Sequence, residues 1–328
     1  MTDRPVKVQV FGRTDVGKAR DHNEDSFIVA DLTTRKASLQ PDVREHEVGR
    51  RGTLFMVADG MGGAAAGEVA SEMATTTVYN HMVTQWGRDQ EVTEQRFAYR
   101  LKEAVELANQ QIHEYASSHL EVRGMGTTTT AAGVFQGSLY LTQIGDSRGY
   151  LIRQNRIAQI TKDQSLMQRL VDAGELTEEE AAVSERRNII LQALGPDPHV
   201  KVDLTRQELR AGDLLVMCSD GLSGLVKKEE ILGIVTQATD LVSACKELID
   251  LANERGGPDN ITCIVARFGG GLPNPDGTEP LGHQVYPLLD TESTTEPVPV
   301  YQPEDVAGRK TEPTKRKTDP GRKKWWLF

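Results

Sequence analysis

Three cysteines in 328 residues, Cys218, Cys245 and Cys263, are too few and too scattered for a disulfide framework or a cysteine-rich zinc site. No apolar run approaches the roughly 18 to 20 residues of a membrane span. The first turns of the chain also lack the apolar core of a secretory signal, so the expected location is cytoplasmic. Positive charge is in short supply. Lys and Arg number 38 against 48 Asp and Glu, a net charge of −10, which argues against sequence-independent nucleic-acid binding by the whole chain. The seven histidines show neither His-x-x-x-His nor cysteine-paired spacing, so zinc is not the expected metal.

What is present divides the chain in two. Nine of the 14 prolines follow Phe268, and apolar periodicity disappears there until Trp325, Trp326, Leu327 and Phe328. Acidic residues and no Lys or Arg occupy the stretch from Gly269 to Asp305, and basic residues dominate after Val306. Residues 6–268 therefore read as a folded domain, and residues 269–328 as a disordered, proline-rich tail with a basic, aromatic tip. That tip has the composition of a partner-docking anchor or of a peripheral contact with an anionic membrane surface.

Within the first part, helix formers run from Ala64 to about Gln85. Apolar residues at three-four spacing mark Thr93 to Leu120, through Phe97, Leu101, Val105, Ala108 and Ile112. A third helix fits Asp240 to Asn253. Short apolar or β-branched runs predict strands at 53–58, 128–135, 138–144, 149–153, 157–161, 214–218 and 261–268, with hairpin gaps at Gln136-Gly137 and Gln154-Asn155. The pattern is α+β, with mostly antiparallel strands and helices outside them.

Three of the strands end in acids: Asp59-Gly60, Gly145-Asp146-Ser147 and Ser219-Asp220-Gly221. A fourth acid, Asp259, precedes the last strand. A single Asp-Gly is ordinary turn chemistry, as at Asp276-Gly277. Four carboxylates at the tips of buried strands are different, because they repel one another unless a cation neutralises them. Hard divalent ions, Mg2+ or Mn2+, suit such oxygen ligands. Near the start, Arg20 precedes Glu24 and Asp25, and arginine can grip a phosphate with two hydrogen bonds. A metal cluster beside an arginine suits phosphate-ester hydrolysis.

Six motifs in this order resemble the protein phosphatase 2C family, the metal-dependent serine/threonine phosphatases of bacterial type. They are Arg20-x-x-Asn23-Glu24-Asp25, Asp59-Gly60-Met61-Gly62-Gly63, Gly126-Thr127-Thr128, Gly145-Asp146-Ser147-Arg148, Ser219-Asp220-Gly221-Leu222 and Gly257-x-Asp259-Asn260. The resemblance implies two antiparallel β-sheets packed face to face with helices on both outer faces. It implies Asp59 bridging two Mn2+ or Mg2+ ions, the Gly60 carbonyl on the second, and Asp220 and Asp259 on the first. Asp146, with Asp220, would hold a weaker third ion. Glu24 and Asp25 would hold metal-bound waters, and Arg20 the substrate phosphate. A hydroxide bridging the ions would attack the phosphorus of a phosphoserine or phosphothreonine in a protein, opposing a Ser/Thr kinase.

Some relatives carry a histidine after the Asp-Gly pair as general acid. Met61 stands there and cannot donate a proton, which leaves a metal-bound water, then His22. The segment from Thr161 to Gly195 resembles the family's flap, with Glu175, Glu178, Glu179, Glu180, Arg186 and Arg187 expected to be exposed. Two other readings share these residues: a phosphoprotein-binding module without turnover, and a phosphatase of small esters.

Overall fold

The apolar runs of the sequence become strands buried on both faces, which is why they read as continuous rather than alternating. In this computed structural model, residues 4–38, 44–62 and 66–289 are described. One sheet holds β1 (Val6–Asp15), β4 (Arg44–Glu47), β9 (Arg148–Arg153), β10 (Arg156–Gln159), β12 (Leu214–Cys218) and β13 (Ile261–Gly270), in the order β10-β9-β12-β13-β1-β4. The other holds β2 (Asp25–Asp31), β3 (Lys36–Ser38), β5 (Thr53–Met61), β7 (Thr129–Phe135), β8 (Ser138–Ile144) and β11 (Asp203–Glu208), in the order β11-β8-β7-β5-β2-β3. Short β6 (Gly126–Thr127) pairs with the end of β5. The pairings are antiparallel.

Alternation along each strand divides its side chains between two layers. On β12 and β13, Leu215, Met217, Ile264 and Ala266 meet Val8, Val10, Phe55 and Val57 between the sheets. Val216, Cys218, Cys263 and Val265 point the other way, into a second core. That outer core is closed by α5 (Asp220–Ser223), α6 (Lys228–Gln237) and α7 (Leu241–Glu254), the last presenting Leu241, Ala244, Cys245 and Leu248. Asp240 caps α7 by accepting the Ser243 N–H at 2.7 Å. The opposite face is covered by α1 (Ala66–Thr84) and α2 (Glu94–Ser118). Phe97 of α2 stacks on Phe135 at 5.0 Å and meets Trp86 edge-on at 5.3 Å. Two antiparallel sheets flanked by helices is the architecture expected from the sequence.

Between β10 and β11 the flap contains α3 (Leu166–Asp172) and α4 (Glu178–Ala182). Its Glu175, Glu178, Glu179, Glu180, Arg186 and Arg187 are all exposed, as expected.

The expected boundary after Phe268 is corrected. β13 continues to Gly270, and residues 271–289 form a strap along the edge strand β11. Arg206 N–H donates to Gln284 O at 3.0 Å and Tyr286 N–H to Leu204 O at 2.8 Å. Glu279 pairs with Arg210 at 2.8 Å, and Tyr286 packs edge-on to Tyr140. An edge strand presents unpaired N–H and C=O groups, and the strap satisfies them although its side chains show no apolar period. The acidic, proline-rich stretch from 290 onward and the aromatic tip lie outside the described residues.

Arg153 and Asp213 form a bidentate pair, Nε to Oδ1 at 2.8 Å and Nη2 to Oδ2 at 2.7 Å, with side chains 2% and 0% exposed. Replacing Asp213 by Ala strands a buried guanidinium and should lower unfolding stability by about 3–5 kcal/mol. Urea titration measures it, and a loss below about 1 kcal/mol would show that water reaches Arg153.

Candidate active site

Both sheets bring acids to one end of the sandwich. Asp25 opens β2 and lies directly opposite Asp59 near the end of β5. Asp220 lies two residues after β12 and starts α5, while Asp259 lies two residues before β13, the strand paired with β12. Asp146 occupies the turn between β8 and β9, which belong to different sheets. Ser219 ties the sheets together: its Oγ donates to Asp25 Oδ2 at 2.8 Å and accepts the Thr262 N–H at 3.0 Å.

The main chain around these acids is pinned by small polar residues. Thr128 N–H and Thr127 Oγ1 both donate to the Asp59 carbonyl, at 2.8 and 2.9 Å, and Thr128 Oγ1 accepts the Asp59 N–H at 3.1 Å. Asn260 Oδ1 accepts the Glu24 N–H at 2.8 Å. Its Nδ2 donates to the carbonyls of Val16 and His22, each at 2.9 Å. One side chain thus fastens the Arg20 loop to β13. Close approach explains two glycines. A Cβ on Gly60 would lie 2.2 Å from the Gly67 carbonyl, and one on Gly17 (φ +79°) 2.2 Å from that of Asp259.

The carboxylates resist sharing this space. Burial, reinforced by repulsion from Asp220 and Asp259, pushes Asp25 up to about 7 against the pull of Thr262 and Ser219 hydrogen bonds. Asp146 is likewise pushed up to about 7 by burial and by Asp220 and Asp163. Burial followed by the charges of Asp25, Asp220 and Asp146 holds Asp59 well above the usual carboxylate range. Asp220 is raised by burial and Asp259. Asp25 Oδ1 and Asp146 Oδ1 are buried with no hydrogen-bond partner among the described residues. Orphaned carboxylate oxygens among like charges fit divalent cations. Among the described residues no three His, Cys, Asp or Glu side chains close into a ready-made cage.

The remaining sequence-predicted residues lie at the rim. Arg20 is 48% exposed and pairs with Asp259 at 2.9 Å, which raises its pKa further. Such an exposed pair is worth at most about 1 kcal/mol, so the guanidinium can turn to a phosphate dianion. Glu24 is raised by burial, while Arg20 and the Gly67 N–H at the start of α1 favour its charge. Its position at that helix N-terminus gives it a capping role beside the one expected. Met61 is exposed at the end of β5, and His22 is exposed in the Arg20 loop. Gly63 of the Asp-Gly-Met-Gly-Gly motif lies outside the described residues.

Three contributors were given no role from sequence: Ser219 and Thr262 beside Asp25, and Gln164, whose Oε1 accepts the Gly145 N–H at 3.0 Å beside Asp146. Register across the sheets identifies the first two, and no local signal marks Gln164. Arg148 grips Asp163 through Nε and Nη2 at 2.9 and 2.6 Å, joining the Asp146 turn to the flap.

Acids with raised folded pKa values stabilise the fold when protonated and lose that contribution as pH climbs through the raised value. With a chelator present, unfolding stability should rise as pH falls from about 7 towards 4.5. The depressed Glu103, held near 2 against burial by His81 and Arg100, withdraws stability only below its ordinary range. Urea midpoints near pH 5 and 7 check this, and a higher midpoint at pH 7 would contradict the crowding.

A profile of the protein phosphatase 2C family matches residues 34–264. The serine/threonine phosphatase Stp of Listeria welshimeri is 36% identical over 254 residues, which is 77% of this chain and 93% of that protein. The crystal structure of the Mycobacterium tuberculosis serine/threonine phosphatase PstP superposes with a TM-score of 0.66 at 37% identity, covering 80% of this chain and 98% of that one. The PstP catalytic domain in complex with two manganese ions gives a TM-score of 0.65 at 36% identity, covering 80% and 99%. With its strand-end acids arranged as described, the chain belongs to the protein phosphatase 2C family.

Proposed function

We propose that this chain is a metal-dependent protein serine/threonine phosphatase, whose catalytic domain, expected at 6–268, extends through the strap to residue 289. The observation that carries the reading is the convergence of Asp25, Asp59, Asp146, Asp220 and Asp259, with orphaned oxygens, beside Arg20. Mn2+ or Mg2+ is the cofactor. Asp59 would hold two such ions, helped by the Gly60 carbonyl for the second and by Asp220 and Asp259 for the first, and Asp146 with Asp220 would hold a weaker third. Bound there, the ions supply a nucleophile at neutral pH and offset charge building on the phosphoryl oxygens.

The protein's own groups do the rest. Arg20 leaves its exposed pair to orient the phosphate with its planar fork. Glu24 and Asp25 hold waters by accepting their protons in hydrogen bonds. The Thr127 and Thr128 bonds keep the Asp59 backbone from yielding to repulsion. Met61 has no proton to give, so the leaving oxygen takes one from water at the site. A module that only binds phosphoproteins has no need of five crowded carboxylates.

The substrates are phosphoproteins, and the counterpart activity is a Ser/Thr kinase. No helix among the described residues is long and apolar enough to cross a membrane. The location is cytoplasmic, with Trp325, Trp326, Leu327 and Phe328 making a peripheral contact at an anionic membrane surface or in a partner's pocket.

Replacing Asp59 by Asn should abolish Mn2+-dependent turnover of a phosphopeptide, a loss of at least about a hundredfold in kcat, while far-ultraviolet circular dichroism stays unchanged. Arg20→Ala should raise KM and lower kcat with Mn2+ affinity retained in calorimetry. Near-normal turnover by the first variant removes the mechanism, and lost Mn2+ binding by the second makes Arg20 structural. For the tip, cosedimentation with anionic vesicles should fall when the chain is ended after Gly321. Equal sedimentation removes the membrane contact.

A further inference from the structure

Beyond the carboxylates lies a second feature that the reaction leaves unused. A cavity of about 510 Å3 opens between the base of the flap and the strap, rimmed by Lys102, Lys162 and Lys201. Its walls are supplied by α2, by the flap base and by strap residues His283, Val285 and Leu288. The strap residues lie past residue 264, where the match to the family profile ends. This wall is therefore an addition to the matched core.

Three lysines around one groove stand out on a chain of net charge −10. Two acids line the groove as well, and each is paired: Asp163 with Arg148, and Asp203 with His283 of the same lining at 2.5 Å. Lys162 shares its charge with exposed Asp172, and Lys102 with Glu106 one turn along α2. Lys201 is exposed and has no ion-pair partner among the described residues. Val285 is 66% exposed, adding an apolar edge. The groove also touches the reaction site: Gln164 lines it and is hydrogen-bonded in both directions to Gly145, next to Asp146.

We propose that this groove docks an acidic segment of the phosphoprotein substrate, one rich in Asp and Glu near the phosphorylated residue. The inference rests on the phosphatase reading for its substrate and deepens it by naming a substrate class. The complementary charge is exposed and close to the Asp146 turn, so it raises local substrate concentration and selects sequence context more than it assists bond cleavage.

Two phosphothreonine peptides, flanked by glutamates or by lysines, are compared with p-nitrophenyl phosphate for the wild type and the Lys102→Glu, Lys201→Glu double variant. The glutamate peptide should be the better wild-type substrate at low salt, with the preference fading as salt rises. The double variant should raise its KM by roughly tenfold, as expected for reversing exposed Lys201 and half-buried Lys102, and leave the small ester unchanged. Fluorescence anisotropy with an unphosphorylated glutamate peptide reads docking without turnover. Binding lost in the double variant supports the groove even if no phosphate is released, in which case it is the phosphatase reading that fails. Equal binding and equal KM for both proteins overturns the proposal. So does faster hydrolysis of every substrate by the double variant, which would give the groove to the chain's own acidic stretch at 290–305.

Discussion

Asp25 and Asp59 face each other across adjacent strands, at a register position where like charges repel. On an exposed sheet that repulsion would amount to less than about 1 kcal/mol, but burial strengthens it and adds Asp146 and Asp220. The polar scaffold around the site holds acids where electrostatics disfavours them. Thr127 and Thr128 grip the Asp59 backbone, Ser219 grips the Asp25 carboxylate, and Asn260 fastens the Arg20 loop. Divalent cations turn the same repulsion into a binding site, so stability is given up in the metal-free fold for affinity in the loaded one.

Where both faces of a strand are buried, the sequence announces it. The runs at 138–144 and 214–218 match β8 and β12 to the residue, because the first is carried by Leu139, Tyr140, Leu141 and Ile144, the second is apolar throughout, and both are bounded by turn residues. Helices α2 and α7 were legible for a related reason, an apolar stripe of helical period facing a sheet. β2, short β3 and β4, and also β1 and β11 were missed. Val6–Asp15 mixes Lys, Gln, Arg and Thr with its valines, and Asp203–Glu208 has Leu204 as its one apolar residue, so neither gives a clean signal. Their strand character comes from partners: β1 pairs along its whole length with β13, and β11 with β8.

The site divides in the same way. Acids at strand tips were readable because a buried strand ending in Asp is conspicuous, and the ordered motifs linked them. Hydroxyl and amide residues that position them were less readable, since Ser, Thr and Asn serve equally well in turns and caps. Their function is fixed only by register: Ser219 meets Asp25 because β12 and β2 end at the same level in different sheets. The strap was misjudged for an opposite reason. Its prolines and acids suggest an unattached segment, whereas main-chain bonds to β11 and the Glu279–Arg210 and Tyr286–Tyr140 contacts fasten it.

That attachment has a consequence for how the fold can vary. The two sheets and their carboxylates leave little freedom, because a Cβ at Gly17 or Gly60 already collides with backbone. The flap and the strap meet such a constraint only at their ends, at Gly195 and Gly271. The flap is held by a few main-chain bonds, such as Leu194 to Thr127 at 2.8 Å, and by the Arg148–Asp163 pair. Both border the catalytic end without supplying its acids, so charge and shape there can change while the chemistry stays intact. Specificity in such an architecture belongs to these peripheral segments, and rate to the crowded strand ends they surround.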